Sequence, residues 1–169
     1  MQPPYFIKDI GFMADIKREK VSLSELYPAM RAMLDSGGEF LFYPDGVSML
    51  PTVRAGRDGV FLRRAESIRR GDILLFRRRD GSFVLHRLVK RKKDGSLVMR
   101  GDNQYIDEGG ISPEAVEGKA SAILRGEKRV STSSLSFRFK SACRLSFYPM
   151  RKFFHRALGK LKRMLRRKR

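Results

Sequence analysis

The sequence contains a single cysteine, Cys143, so it can form no internal disulfide and no cysteine-rich metal site. This residue is best explained as a small, partly buried apolar side chain. No segment approaches the ~20 consecutive apolar residues of a membrane-spanning helix. The N-terminus also lacks the basic region and apolar run of a signal peptide. We therefore expect no transmembrane anchor and no cofactor, and nothing indicates an oxidising compartment.

Acidic residues are absent after Glu127, although the whole chain has 37 basic and 18 acidic residues and a net charge of +19. Residues 128–169 contain 15 of the basic residues, whereas residues 1–127 carry 22 basic against 18 acidic side chains. The strong positive charge therefore belongs to the C-terminal segment and not to the main domain. A charge confined to one tail does not predict specific nucleic-acid binding.

With 169 residues, of which 41% are apolar, the chain can form one folded domain with appendages. Ser22 and Glu25 have the spacing of a capping box, and apolar residues then recur at helical spacing until Gly37-Gly38. We divide the chain into four parts: an N-terminal arm and helix (1–38), a β domain (39–127), a Ser-rich linker (128–144) and a basic amphipathic tail helix (145–169).

Six short apolar segments of the central part predict strands: Glu39–Tyr43, Val60–Leu62, Gly71–Phe76, Phe83–Val89, Ser96–Arg100 and Val116–Leu124. Asp80-Gly81 and Asp94-Gly95 each separate two of these segments, which is typical of a β-hairpin. Residues 101–113 are predicted to form a loop. The pattern predicts a mainly β fold, a curled and barrel-like antiparallel sheet with a helix before it and a helix after it.

The turn Asp45–Thr52 places the hydroxyl of Ser48 between two predicted strands. A serine hydroxyl becomes a nucleophile only when a nearby base removes its proton. His86 is the only histidine of the predicted β domain, and its imidazole could accept this proton and return it to a leaving amine. Taken separately, Ser48 is also compatible with an ordinary turn serine, and His86 with a structural histidine.

Two aspartates, Asp102 and Asp107, follow the strand that ends at Arg100. A carboxylate in this position could hold His86 in one tautomer and stabilise its imidazolium form. The pair Asp102-Asn103 is equally explained by a turn that the aspartate side chain supports. The residues alone leave both explanations open.

Five segments carry a further pattern: Gly46–Thr52, Arg70–Phe76, Leu85–Val89, Arg100–Asn103 and Val116–Lys119. Their order, their spacing and their placement on predicted strands and turns resemble the type I signal peptidases. The resemblance covers residues 39–124. The usual bacterial enzymes of that superfamily use a lysine base, whereas the endoplasmic-reticulum and archaeal branch uses histidine followed by arginine. Here the position reads His86-Arg87.

The resemblance implies a mostly β serine endopeptidase that cleaves a leader or signal peptide after small residues. It implies Ser48 as the nucleophile, His86 as the general base, Asp102 as the acid that orients the histidine and Asp107 as a possible second acid. The backbone N–H of Ser48 would contribute to the oxyanion hole. The partner would be a peptide or protein with a cleavable leader.

The sequence departs from that family in having no recognisable N-terminal membrane anchor and in Gly46, which has no hydroxyl to donate to an oxyanion. The alternatives are a self-cleaving regulatory protein similar to the repressor peptidases and a non-enzymatic module of the same fold. Those repressors pair serine with lysine and cleave an Ala-Gly bond before the serine. Here Ala55-Gly56 follows Ser48.

The C-terminal segment has apolar residues at helical spacing: Phe147, Met150, Phe154, Ala157, Leu158, Leu161 and Leu165. Arginines and lysines occupy much of the remaining surface. A helix of this kind is expected to lie in the interface of an anionic membrane. We therefore expect a peripheral membrane protein on the cytoplasmic face. The alternatives are a cytoplasmic protein whose tail packs on the β domain, an RNA contact, or a tail that only aids solubility.

Overall fold

The computed structural model describes residues 23–153 and 155. The predicted N-terminal arm and its cap at Ser22 lie outside the described residues, as do residues 156–169 of the predicted tail helix. No helix in the described part of the chain is both long enough and apolar enough to cross a membrane.

Helix α1, Leu23–Asp35, confirms the helix that apolar spacing predicts. Its buried face consists of Met30 and Leu34, which lie one turn apart. The helix ends before Gly37, whose positive φ of 80° is a conformation that glycine adopts without steric cost. α1 therefore covers the sheet with one apolar stripe and exposes its polar side.

Eight strands form a single antiparallel sheet: β1 Phe40–Phe42, β2 Asp58–Arg63, β3 Ile73–Arg77, β4 Phe83–Arg91, β5 Leu97–Arg100, β6 Glu108–Ile111, β7 Val116–Arg125 and β8 Lys128–Ser131. Seven of them follow the order β1-β2-β7-β3-β4-β5-β6, and β8 pairs with the second half of β7. The mainly β fold with flanking helices is confirmed. Among the described strands β1 and β6 end this order unpaired on one side, and β8 pairs with β7 alone, so the sheet is open and does not close into a barrel.

The two predicted Asp-Gly hairpins form as expected, between β3 and β4 and between β4 and β5. Gly81 and Gly95 have positive φ values of 84° and 83°. In each turn the aspartate side chain accepts the backbone N–H of the serine two residues later. These turns fix the pairing of β3, β4 and β5, the three strands that surround the candidate site.

Side chains alternate between two buried faces along β3, and each face has its own core. Ile73 and Leu75 point to the side covered by the helices, which we call the helix face. Leu74 and Phe76 point the other way, into a second apolar cluster that includes Met99; we call this side the opposite face. Being buried on both sides, β3 has the continuous apolar sequence that predicted it.

Two predicted irregular segments contain regular structure. Residues 128–144 were expected to be a linker but form strand β8 and most of helix α2, Leu135–Ser146. The serine run is a helix start, since the Ser134 hydroxyl accepts the N–H of Phe137 and thereby caps α2. The predicted loop 101–113 contains β6, which pairs irregularly with β5. After α2 the chain bends at Phe147, and residues 148–153 are helical again.

A buried ion pair joins α2, the sheet and the loops around it. The Arg87 guanidinium binds both carboxylate oxygens of Asp102, at 2.8 and 2.7 Å. It also donates to the carbonyl of Gly71 and to the hydroxyl of Ser141 on α2. The Thr52 hydroxyl donates to the same Asp102 carboxylate. Five segments of the chain therefore meet at one pair of charges.

Replacing Asp102 by alanine should lower the free energy of unfolding by about 3–5 kcal/mol, because the buried Arg87 would lose its counter-charge. The matched control is Asp35→Ala, since Asp35 makes an exposed ion pair with Arg31 worth about 0–1 kcal/mol. Urea unfolding of both variants measures the difference. Equal losses in the two variants would contradict the structural role that we assign to Asp102.

Candidate active site

Ser48 lies in a one-turn 3-10 helix, Val47–Met49, which connects β1 to β2; we call this segment the serine turn. Met49 is buried in the helix-face core, whereas Ser48 is only partly buried. The Ser48 carbonyl accepts the N–H of Asn103 at 2.8 Å, and the Asn103 amide donates to the Val47 carbonyl at 3.3 Å. These bonds attach the serine turn to the segment that follows β5.

Gly101 permits a very close approach between the serine turn and the sheet. A Cβ atom at this position would lie 2.6 Å from the Ser48 carbonyl oxygen and 3.0 Å from the Ser48 Cβ. Arg87 of β4 pairs with Arg100 of β5, and these strands are antiparallel. The next residue of this register places Gly101 opposite His86. Cα atoms of the serine turn and of β4 also lie within 8 Å of each other. The structure therefore brings Ser48 and His86 into one neighbourhood, on the opposite face.

His86 is buried beside apolar groups: Leu74 is its partner on β3, and the Phe76 ring centroid lies 6.0 Å from its own. Burial lowers the pKa of His86 from 6.5 to about 4, because a charged imidazolium would lose its hydration. The nearby Glu108 carboxylate raises this pKa and offsets part of the effect. His86 is therefore neutral at physiological pH, which is the state that a general base requires.

Glu108 is the carboxylate beside His86. Its Oε2 atom lies 3.8 Å from the imidazole Nδ1, and Nδ1 is buried without a hydrogen bond to any described residue. Arg78 binds both oxygens of Glu108 at 2.6 Å, and these hydrogen bonds hold the pKa of Glu108 below its usual value. An ionised acceptor thus faces an unbonded ring nitrogen, and a movement of about 1 Å would form the hydrogen bond.

The assignment of Asp102 as the acid that orients His86 does not match this arrangement. Successive residues of a strand point to opposite faces, so Arg87 and His86 face different sides of β4. Asp102 lies on the helix face with Arg87, and its carboxylate is occupied there. Asp107 does not meet His86 either, because it pairs with Arg100 at 2.8 Å.

Glu108 is the acid whose side chain lies on the His86 side of the sheet, whereas Asp102 and Asp107 bind arginines elsewhere. It pairs directly with Met99 of β5, and paired residues share a face, so its side chain points toward the His86 side of the sheet. Asp107 precedes it by one residue and therefore points away. A signal was present in the adjacent acids Asp107-Glu108, but choosing between them requires the register of β6.

Among residues 23–153 and 155, no group of three or more His, Cys, Asp or Glu side chains could hold a metal ion. The functional groups that the described residues bring to the site are the Ser48 hydroxyl, the His86 imidazole and the arginine-bound carboxylate of Glu108. Comparison with known proteins adds no assignment: no family model matches the sequence, and no curated protein matches it significantly.

The lowered pKa of His86 predicts a specific loss of stability in acid. Between about pH 6.5 and pH 4 the unfolded chain binds a proton at this residue that the folded chain does not. The neutral histidine is therefore tolerated above pH 6.5, and stability is lost as the pH falls toward 4, by up to roughly 3 kcal/mol. His86→Leu should lack this contribution.

Urea unfolding of the wild type and of His86→Leu, repeated across this pH range, measures the contribution. The difference in unfolding free energy between the two proteins should change with pH in favour of the variant as the solution is acidified. Parallel pH curves would contradict the lowered pKa.

Proposed function

We propose that this protein is a serine endopeptidase similar to the type I signal peptidases, with Ser48 as the nucleophile and His86 as the general base. The observation that carries the proposal is the pairing of a neutral, buried histidine with an ionised carboxylate on the face that Ser48 approaches. We assign the orienting acid to Glu108 and not to Asp102. Arg78 is a positioning residue that holds Glu108 with two hydrogen bonds.

In the proposed mechanism Glu108 accepts a hydrogen bond from Nδ1–H of His86 and thereby selects the tautomer with a free lone pair on Nε2. Nε2 takes the Ser48 proton as Oγ attacks the scissile carbonyl carbon. The imidazolium that forms in this apolar surrounding is stabilised by the Glu108 charge. It then protonates the leaving amine, and a water molecule hydrolyses the acyl-enzyme by the same proton transfers in reverse.

The start of the serine turn supplies a candidate oxyanion hole. The first N–H groups of a helical turn, including that of Ser48, have no acceptor within the turn. Gly46, at the cap of this turn, has extended backbone angles and makes no side-chain cap bond. A backbone donor is consistent with a site in which residue 46 has no hydroxyl, since a fixed N–H costs no reorganisation during the reaction.

The proposed substrate is a peptide or protein with a cleavable leader or signal segment, in which small residues precede the scissile bond. This specificity rests on the resemblance to signal peptidases. A non-enzymatic module of the same fold is the competing function, and a test of turnover separates the two.

Cleavage of a co-expressed leader peptide should depend on Ser48, His86 and Glu108 and not on Asp107. We expect Ser48→Ala to abolish cleavage and His86→Ala to lower kcat/KM by roughly 10²–10⁴. Glu108→Gln should also lower kcat/KM, by on the order of 10²–10⁴, because the neutral amide cannot stabilise the imidazolium. Asp107→Asn is the matched control and should keep activity within a few-fold.

Two results would contradict this scheme at different levels. Equal processing by the wild type and Ser48→Ala would refute the peptidase itself. Equal losses in Glu108→Gln and Asp107→Asn, with both proteins folded by circular dichroism, would refute only the choice of acid.

We also propose that the C-terminal helical region rests on an anionic membrane surface. Large apolar side chains there are more than half exposed: Leu135, Phe139, Phe147, Met150 and Phe153. Phe139 lies on the side of α2 away from buried Phe137 and Ser141. Exposed aromatic rings among basic residues favour the headgroup region of an anionic bilayer.

The membrane proposal predicts that the protein sediments with anionic vesicles and not with neutral ones. Phe139→Ser together with Phe153→Ser should reduce the bound fraction severalfold, because each removes apolar surface from the bilayer. Thr132→Ser in the described turn before α2 serves as a control that leaves the exposed rings intact. Unchanged sedimentation of the double variant would refute the proposal.

A further inference from the structure

Four arginines surround one aspartate in a pocket between α2, residues 148–153 and the ends of β4 and β5. The pocket is shallow: its cavity volume is about 10 Å³, roughly the room for one water molecule, and it opens to solvent. We call it the arginine pocket; Val89 and Leu145 contribute apolar surface, and its other lining residues are Arg87, Arg100, Arg144, Arg151, Asp102 and Tyr148. It lies on the helix face and is distinct from the Ser48–His86 neighbourhood on the opposite face.

Two of the four positive charges are compensated by close ion pairs. Arg87 is bound to Asp102 through both carboxylate oxygens, and Arg100 pairs with Asp107. Arg100 also lies 3.2 Å from the Tyr148 ring centroid, which fixes its guanidinium against an aromatic face.

The other two charges have no such partner among the described residues. Arg144 Nε lies 3.6 Å from Asp102 Oδ2, a carboxylate that Arg87 and Thr52 already occupy. Arg151 donates one hydrogen bond, to the backbone carbonyl of Asp102 at 3.2 Å. Arg144 and Arg151 therefore leave the pocket with two positive charges that no close ion pair compensates.

Arg144 is held there at an electrostatic cost. Burial lowers its pKa, and the positive charges of Arg87 and Arg151 lower it further, while Asp102 alone raises it. A bound anion would remove this repulsion and would use guanidinium N–H groups that no described residue accepts.

We propose that a phosphate-type oxyanion binds at the solvent-facing mouth of the arginine pocket, held mainly by the partly exposed Arg144 and Arg151. Arginine forks bind phosphate oxygens in pairs, and a doubly charged phosphate matches the two uncompensated charges. The same group is available from free phosphate and from the headgroup of an anionic phospholipid. The proposal is independent of peptidase activity.

The first arm of the test uses free inorganic phosphate and the full-length protein. Thermal unfolding is followed as phosphate replaces chloride at constant ionic strength, because a ligand of the folded state raises the midpoint. The midpoint should rise for the wild type and for Arg138→Gln, an exposed arginine of the same helix. Arg144→Gln and Arg151→Gln should each weaken the apparent phosphate affinity by about tenfold.

A second readout separates binding from a purely structural role. Without phosphate, Arg144→Gln should be at least as stable as the wild type, because it relieves like-charge repulsion. If Arg144 is instead required for folding, this variant loses stability without phosphate and the proposal fails for that residue. Arg151→Gln, which gives up a single hydrogen bond to a backbone carbonyl, then decides the outcome alone.

The second arm identifies the source of the phosphate group. Vesicles of phosphatidylcholine with phosphatidic acid are sedimented with each protein, in the absence and presence of inorganic phosphate. Binding that falls in both pocket variants and is displaced by phosphate assigns a headgroup. A phosphate shift without such vesicle dependence assigns the free ion. Identical phosphate shifts and identical vesicle binding in wild type, Arg144→Gln and Arg151→Gln would overturn the proposal.

Discussion

Arg87 and Asp102 carry opposite charges that are both removed from water, and they join the sheet, α2 and the segment that follows the serine turn. Burying two charges is costly, and their attraction offsets that cost only when the remaining donors and acceptors are satisfied. Here they are: the guanidinium reaches Gly71 and Ser141 as well as the carboxylate, and Thr52 donates to the carboxylate. The pair therefore specifies one relative placement of these elements.

The same pair determines the surroundings of the histidine. Because Arg87 must point to the helix face to reach its partner, His86 has to point to the other side of β4. His86 is thereby placed beside the apolar cluster around Phe76 and Met99. Burial among these apolar groups lowers the pKa of His86. A charge brought close to the imidazole also interacts strongly with it, because screening is weak in apolar surroundings.

Sequence patterns predicted most strands of the sheet, because apolar runs and Asp-Gly turns are local signals. They failed where the deciding information was not local. β6 contains two adjacent glycines and is defined by its pairing with β5, and the serine run before α2 acts as a helix cap that resembles a linker in composition. The positions of the acids relative to His86 could not be predicted for a similar reason, since a shift of one residue along a strand exchanges its two faces.

Ser48 and His86 could be named as candidates because the sequence places a turn serine ahead of the lone histidine of the predicted β domain. Their proximity was not predictable, because it depends on the bonds from Asn103 to the serine turn and on the register between β4 and β5. The arginine pocket could not be predicted either, because it depends on contacts between residues far apart in the sequence. Its members come from strands and helices separated by as many as 64 positions, between Arg87 and Arg151.

Gly101 contributes to the site because it has no side chain. The space that a Cβ atom would need at this position is taken by Ser48 of the serine turn. A single added methyl group would therefore push the serine turn away from the sheet without removing any polar group. A substitution at this position therefore acts through its volume and not through its reactivity. A variant library that replaces only polar side chains would overlook Gly101, although this glycine permits the close approach of the serine turn to the sheet.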